Sequence, residues 1–114
     1  MSKSMIDYLR HILVECEYIE ELKQNGLTKA ELLEDETKKR AIVRSIEIIG
    51  EATKNIDKPF RERFPQINWK QMAGMRDRLI HNYMGVNYNI VWDVIETKIP
   101  QLKTEIERII TDQG

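Results

Sequence analysis

The sequence predicts an all-α protein, an up-and-down bundle of four or five helices. Apolar residues recur at steps of three and four along nearly the whole chain, and no stretch alternates as a strand would. Only 5 Gly and 3 Pro interrupt 114 residues. The composition, 41% hydrophobic and 32% charged with mixed sign, suits helices with solvated outer faces.

The first helix is expected over about 4–24, where Met5, Tyr8, Leu9, Ile12, Leu13, Cys16, Ile19 and Leu22 draw one stripe. Asn25-Gly26 ends it, because Gly or the preceding Asn takes the left-handed conformation that closes a helix. Thr28 with Glu31 three residues on is a capping-box pattern, which starts a short helix running to about Glu34. A long helix follows over about 35–56. Ile42, Ile46, Ile49, Thr53 and Ile56 lie on one face, and Ala41, Ile48 and Ala52 widen it. Residues 57–65 form a connection holding one helical turn, begun by Pro59 and stopped before Pro65. Asn68 caps a helix over about 69–83, and Met84-Gly85-Val86-Asn87 is a turn. The last helix, about 88–111, carries a near-heptad stripe with Pro100 inside it, which should kink or split it.

Residues 1–114 are read as one domain. A formal net charge of −1 excludes broad, sequence-blind coating of nucleic acid but leaves room for a small basic cleft. The single Cys16 excludes an internal disulfide and a cysteine-based metal cage, and suits a reducing compartment. No apolar run reaches membrane-spanning length, and the first residues are not a secretory signal. A cytoplasmic globular domain with no membrane contact, metal or cofactor is the expectation.

Arg76-Asp77-Arg78-Leu79-Ile80-His81-Asn82-Tyr83 carries the chemistry. It puts a permanent cation, an imidazole and a phenol within little more than two helical turns. A neutral imidazole takes a proton near pH 7, and a guanidinium stabilises charge building on phosphate oxygens. The reaction that fits is metal-independent RNA cleavage by the neighbouring ribose hydroxyl. His81 would serve as general base or acid and Arg76 would stabilise the pentacoordinate phosphate. Arg78 would hold flanking backbone, and Tyr83 would stack on a base or donate to a phosphate oxygen.

Helical spacing puts Arg76 and Tyr83 on one face and Asp77 next to His81, where the carboxylate would orient the imidazole. Arg76 and His81, however, stand about 140° apart on an ideal helix. Three resolutions are open: loosening of the helix near Asn82, a long reach by Arg76, or completion of the site by a second copy. Gly74 would permit close backbone approach at such a junction.

Several residues have plainer readings. His11 belongs to an ordinary surface pair with Asp7. Glu47 and Glu51, flanked by Arg44 and Lys54, read first as an exposed salt-bridge ladder, ahead of a metal pair or backing for Arg76. Gly50 marks a close helix crossing, Trp69 and Trp92 are core or interface residues, and Arg61-Glu62-Arg63 is a solvated connection.

The chain resembles the HepT-like toxins of the HEPN superfamily, ribonucleases paired with a minimal nucleotidyltransferase antitoxin. The residues 76–83 carry the resemblance, together with Ile46-Glu47-Ile48-Ile49-Gly50-Glu51-Ala52, Phe64-Pro65-Gln66-Ile67-Asn68-Trp69, Val91-Trp92 and Ile99-Pro100-Gln101-Leu102. The resemblance covers nearly the whole chain. It implies an all-α homodimer with the motif helices near the two-fold axis, so that both protomers build the RNase cleft. It further implies catalysis by Arg76 and His81, supported by Asp77, Arg78 and Asn82, and AMP addition to Tyr83 by the antitoxin. The alternatives are an inactive subunit that presents nucleotide or substrate to a nucleotidyltransferase, and a dimeric helical scaffold without activity.

Overall fold

In the computed structural model, which describes residues 3–79 and 85–113, all regular structure is helical. Helix α1 (Lys3–Gln24) fully buries Leu9, Ile12, Cys16 and Ile19 of the predicted stripe, while Tyr8, Leu13 and Leu22 are only partly buried against the core. It ends as expected at Gly26, whose φ of 99° lies in the left-handed region that a Cβ disfavours. The Leu27 N–H donates to the Leu22 carbonyl at 3.0 Å, satisfying one of the last helical acceptors.

Thr28 caps α2 (Lys29–Glu34), its Oγ1 accepting from the Glu31 N–H at 3.1 Å. Asp35 Oδ1 caps α3 (Glu36–Lys54) by accepting from Lys38 N–H at 3.1 Å. Helix α3 packs on both α1 and α5, and buries Ile42, Ser45, Ile46, Ile49, Gly50, Ala52 and Thr53. That spread is wider than one stripe, which is why the helix could be covered on two sides. Ile48, expected to widen the face, is only half-buried.

The predicted turn at Pro59 is α4 (Lys58–Arg63), capped by Asp57. Phe60 is buried there against Phe64 and Trp69, with ring centroids 4.8 and 6.3 Å away. The reading of Arg61 as part of a solvated connection is corrected. Its Nε and Nη2 donate to the carbonyls of Ile56 and Thr53, both at 2.9 Å, the second adding to the bond that the Ile56 N–H already makes to Thr53 O, and so tie α4 to the chain leaving α3.

Asn68 caps α5 (Trp69–Leu79) through the Gln71 N–H at 2.9 Å. Asn87 caps α6 (Tyr88–Asp93), and α7 (Ile99–Gln113) closes the chain. Between them, residues Val94–Lys98 form one π turn. Pro100 accounts for it. Proline has no N–H to donate and its ring crowds the carbonyl four residues back. Upstream of it the Ile99 N–H bonds Val94 O, five residues back, and this leaves the Ile95 carbonyl without its usual donor. Lys23 of α1 supplies one, its Nζ lying 3.3 Å from Ile95 O. The expected split is therefore a π turn anchored to α1.

Helix α1 lies against α3 and α7, α5 lies on α3, and α6 touches α2 and α5. The extents are 42 × 28 × 20 Å and the radius of gyration is 14.1 Å, slightly above the roughly 13 Å of a sphere-like domain. No described helix is long and apolar enough to cross a membrane.

Candidate active site

Helices α3 and α5 meet at Gly50. A Cβ there would lie 3.4 Å from Arg76 Cβ and 3.7 Å from the Ala73 carbonyl oxygen, so a large side chain would lift α5 away. Gly74 has no such role within the chain, since a Cβ there would meet nothing within 4 Å. The crossing sets Arg76 beside a polar row of α3. Glu47, Gly50, Glu51 and Lys54 recur at helical spacing and so share one face.

Arg76 Nε stands 4.0 Å from Glu47 Oε2, and its Nη1 stands 3.4 Å from Asp77 Oδ1. Lys54 Nζ approaches Asp77 Oδ2 at 4.0 Å. With Arg44 and Glu51 these groups line a shallow cavity of about 180 Å³. Three cations (Arg44, Lys54, Arg76) face three carboxylates (Glu47, Glu51, Asp77), so the cavity is charge-balanced within one protomer and not basic. The Arg76 side chain is 43% exposed, which leaves its guanidinium open to a ligand.

The predicted site residues thus divide. Arg76 and Asp77 come together where α5 crosses α3. Arg78 goes elsewhere: two residues along a helix is 200° around it, and Arg78 lines a separate groove between α5, α6 and α7. His81, Asn82 and Tyr83 lie outside the described residues, as do the expected Asp77–His81 contact and the approach of Arg76 to His81. Among the described residues, no three of His, Cys, Asp and Glu gather as a metal-ligand set.

Glu47 was expected first as a member of a solvated ladder, and the structure turns it toward Arg76. The signal was present in the sequence, since a glycine between Glu47 and Lys54 marks where a second helix presses on that face. His11 is exposed and meets Tyr8 edge-on, with centroids 6.5 Å apart. Cys16 is not a nucleophile. Burial, reinforced by Glu20 and Glu15, pushes its thiol up to about 12, so the thiolate is absent near neutrality.

A family model described as "Ribonuclease HepT-like" matches residues 15–109. A "Putative RNase" of Caldanaerobacter subterraneus subsp. tengcongensis is 48% identical over 103 residues, 90% of this chain and 91% of the relative. A "Putative RNase" of Methanocaldococcus jannaschii is 48% identical over 88 residues, 77% of this chain and 73% of the relative. The "Probable ribonuclease HepT" of Thermococcus cleftensis is 40% identical over 109 residues, 96% of this chain and 98% of the relative. No solved structure matches the chain.

Proposed function

This chain belongs to the ribonuclease HepT-like family, and from that premise we propose that it is a metal-independent endoribonuclease toxin whose Arg76 and His81 cleave RNA. His81 takes the proton from a ribose 2′-hydroxyl. The 2′-oxygen attacks the adjacent phosphorus, the bond from phosphorus to the 5′-oxygen breaks, and that oxygen leaves with a proton. The products are a 2′,3′-cyclic phosphate and a free 5′-hydroxyl. Arg76 stabilises the negative charge gathered on the phosphoryl oxygens during attack. Asp77, beside Arg76, and Asn82 support these two groups, whereas Arg78, on the other face of α5, is not placed to do so.

The observation that best supports this reading is the way Arg76 is held. The Gly50 crossing fixes the root of its side chain and Glu47 stands beside Nε, while the guanidinium stays open to solvent. An arginine anchored at its root and exposed at its tip loses less freedom when a phosphate arrives. The incoming phosphate displaces Asp77 from Nη1, and two protomers pair so that the imidazole of one cleft meets a guanidinium. A minimal nucleotidyltransferase antitoxin silences the enzyme by adding AMP to Tyr83. That places an anionic phosphate and a bulky base in the cleft, where they repel and block RNA.

Purified protein incubated with RNA in chelator tests the core of this. Wild type should degrade RNA, and Arg76→Ala and His81→Ala should each be slower by about 10²-fold or more. Variants that cleave as fast as wild type overturn the assigned roles. Mass spectrometry after exposure to the antitoxin should find AMP on Tyr83, and modification only at other residues refutes that part.

A further inference from the structure

The cavity beside Gly50 holds two cations on a single anion. Asp77 Oδ1 stands 3.4 Å from Arg76 Nη1, and its Oδ2 stands 4.0 Å from Lys54 Nζ. One carboxylate thus draws together a guanidinium from α5 and an ammonium from α3. We propose that Lys54 is a second phosphate ligand beside Arg76, and that Asp77 keeps the place of the scissile phosphodiester in the free protein. The proposal rests on the ribonuclease reading and adds a residue to it.

Shape and charge both fit the exchange. A phosphodiester presents two unshared oxygens on one central atom, as a carboxylate does, so Arg76 can keep one oxygen and Lys54 the other. It also carries a single negative charge. The cavity sets three cations against three carboxylates, and replacing Asp77 by a diester leaves that balance as it is. Of the two carboxylates on Arg76, Asp77 is the one to leave, its side chain 62% exposed against 33% for Glu47.

The crossing that places Arg76 also places Lys54. It follows Gly50 by four residues, one turn further along the face of α3 on which α5 rests. Both cations stay open at their tips, the Lys54 side chain being half exposed. Exposed ion pairs of this length are weak, so a phosphate displaces Asp77 at little cost. During attack negative charge grows on both unshared oxygens, and a cation at each stabilises that state more than the ground state. The plainer reading is an interhelical tie, in which Lys54 and Asp77 only bind α3 to α5.

The two readings differ in sign. Binding of a short single-stranded RNA with 2′-O-methyl groups, which lacks the attacking hydroxyl, is measured by fluorescence anisotropy on the full chain in chelator. Lys54→Ala should raise Kd about fivefold and reduce the slope of log Kd against log salt by about 0.7, the share of one phosphate contact. Asp77→Asn, which frees both cations, should lower Kd about threefold, and Lys54→Arg should stay near wild type. On cleavable RNA, Lys54→Ala should also lower kcat about tenfold with its thermal melt unchanged. A tie between helices is lost with either residue, so it gives shifts of the same direction in Lys54→Ala and Asp77→Asn. Shifts of the same direction, or none, overturn the clamp, and a wild type that still cleaves RNA then leaves the ribonuclease reading standing. Opposite shifts in a protein whose wild type cleaves no RNA overturn the ribonuclease reading, and with it the assignment of this phosphate as the scissile one.

Discussion

The centre of the bundle and α5, the helix that carries the proposed site, are packed to different depths. In α1 and α3, Leu9, Ile12, Ile19, Ile42, Ile46 and Ile49 are each 0% exposed. In α5, Trp69, Met72, Met75 and Leu79 all keep between 4% and 8%. Side-chain type follows depth. Isoleucine has one strongly preferred rotamer in a helix and makes a stiff frame, whereas methionine is flexible and fits irregular gaps. On the proposed reading the chemistry sits at this softer margin, where the Arg76 guanidinium is open to solvent beside α3. The frame supplies only the fixed point, Gly50, from which Arg76 projects.

The largest effect should separate the two regions directly. Ile46→Ala empties a site with no solvent contact and should cost about 4 kcal/mol, while Met75→Ala, beside an existing groove, should cost about 2. Urea denaturation measures both, and equal losses would remove the distinction. Alkaline pH probes the same contrast from the frame alone. The Cys16 thiol moves from an ordinary 9.0 to about 12 in the folded protein. Its raised value means stability is complete below pH 9 and is lost as pH rises toward 12, because the unfolded thiol ionises first. By pH 11 the loss should be about 2–3 kcal/mol, and Cys16→Ala should flatten that part of the profile.

Smaller effects belong to the site. Glu47→Ala should slow RNA cleavage by about tenfold, yet change folding stability by less than roughly 0.5 kcal/mol because the ion pair is partly exposed. A fall in thermal midpoint large enough to account for the lost activity would show Glu47 to be structural. Gly50→Ala should be the mildest. Helix propensity favours alanine by up to about 1 kcal/mol, and the new Cβ meets Arg76 Cβ at an ordinary 3.4 Å contact. A loss above about 2 kcal/mol would mean the crossing has no room to give.

Most of the helices were legible in the residues. Gly26, Thr28 and Asn68 mark helix ends through contacts within five residues, so local order is enough to read them. Pro100 is legible as a disruption, but not the settled form it takes, because the Ile95 carbonyl left open beside the π turn is met by a lysine from another helix. Arg61 was misread for a related reason. Nothing near it in sequence shows that the chain leaving α3 turns the Thr53 and Ile56 carbonyls toward α4. The approach of Glu47 to Arg76 is hard to read from the residues, since local spacing shows neighbours on its own helix and not those on α5.

By itself the sequence determined the all-α class, the order of the helices, most of their caps and the cluster of cation, imidazole and phenol that identifies the family. Periodicity and capping act over one or two turns, so the order of residues encodes them directly. Tertiary structure alone decided that Arg76 pairs with Glu47, that Arg78 turns away into a groove, and that Lys23 secures the π turn. Those contacts join residues 29 to 72 positions apart, and which of the many possible long-range pairs form depends on how the buried faces pack together.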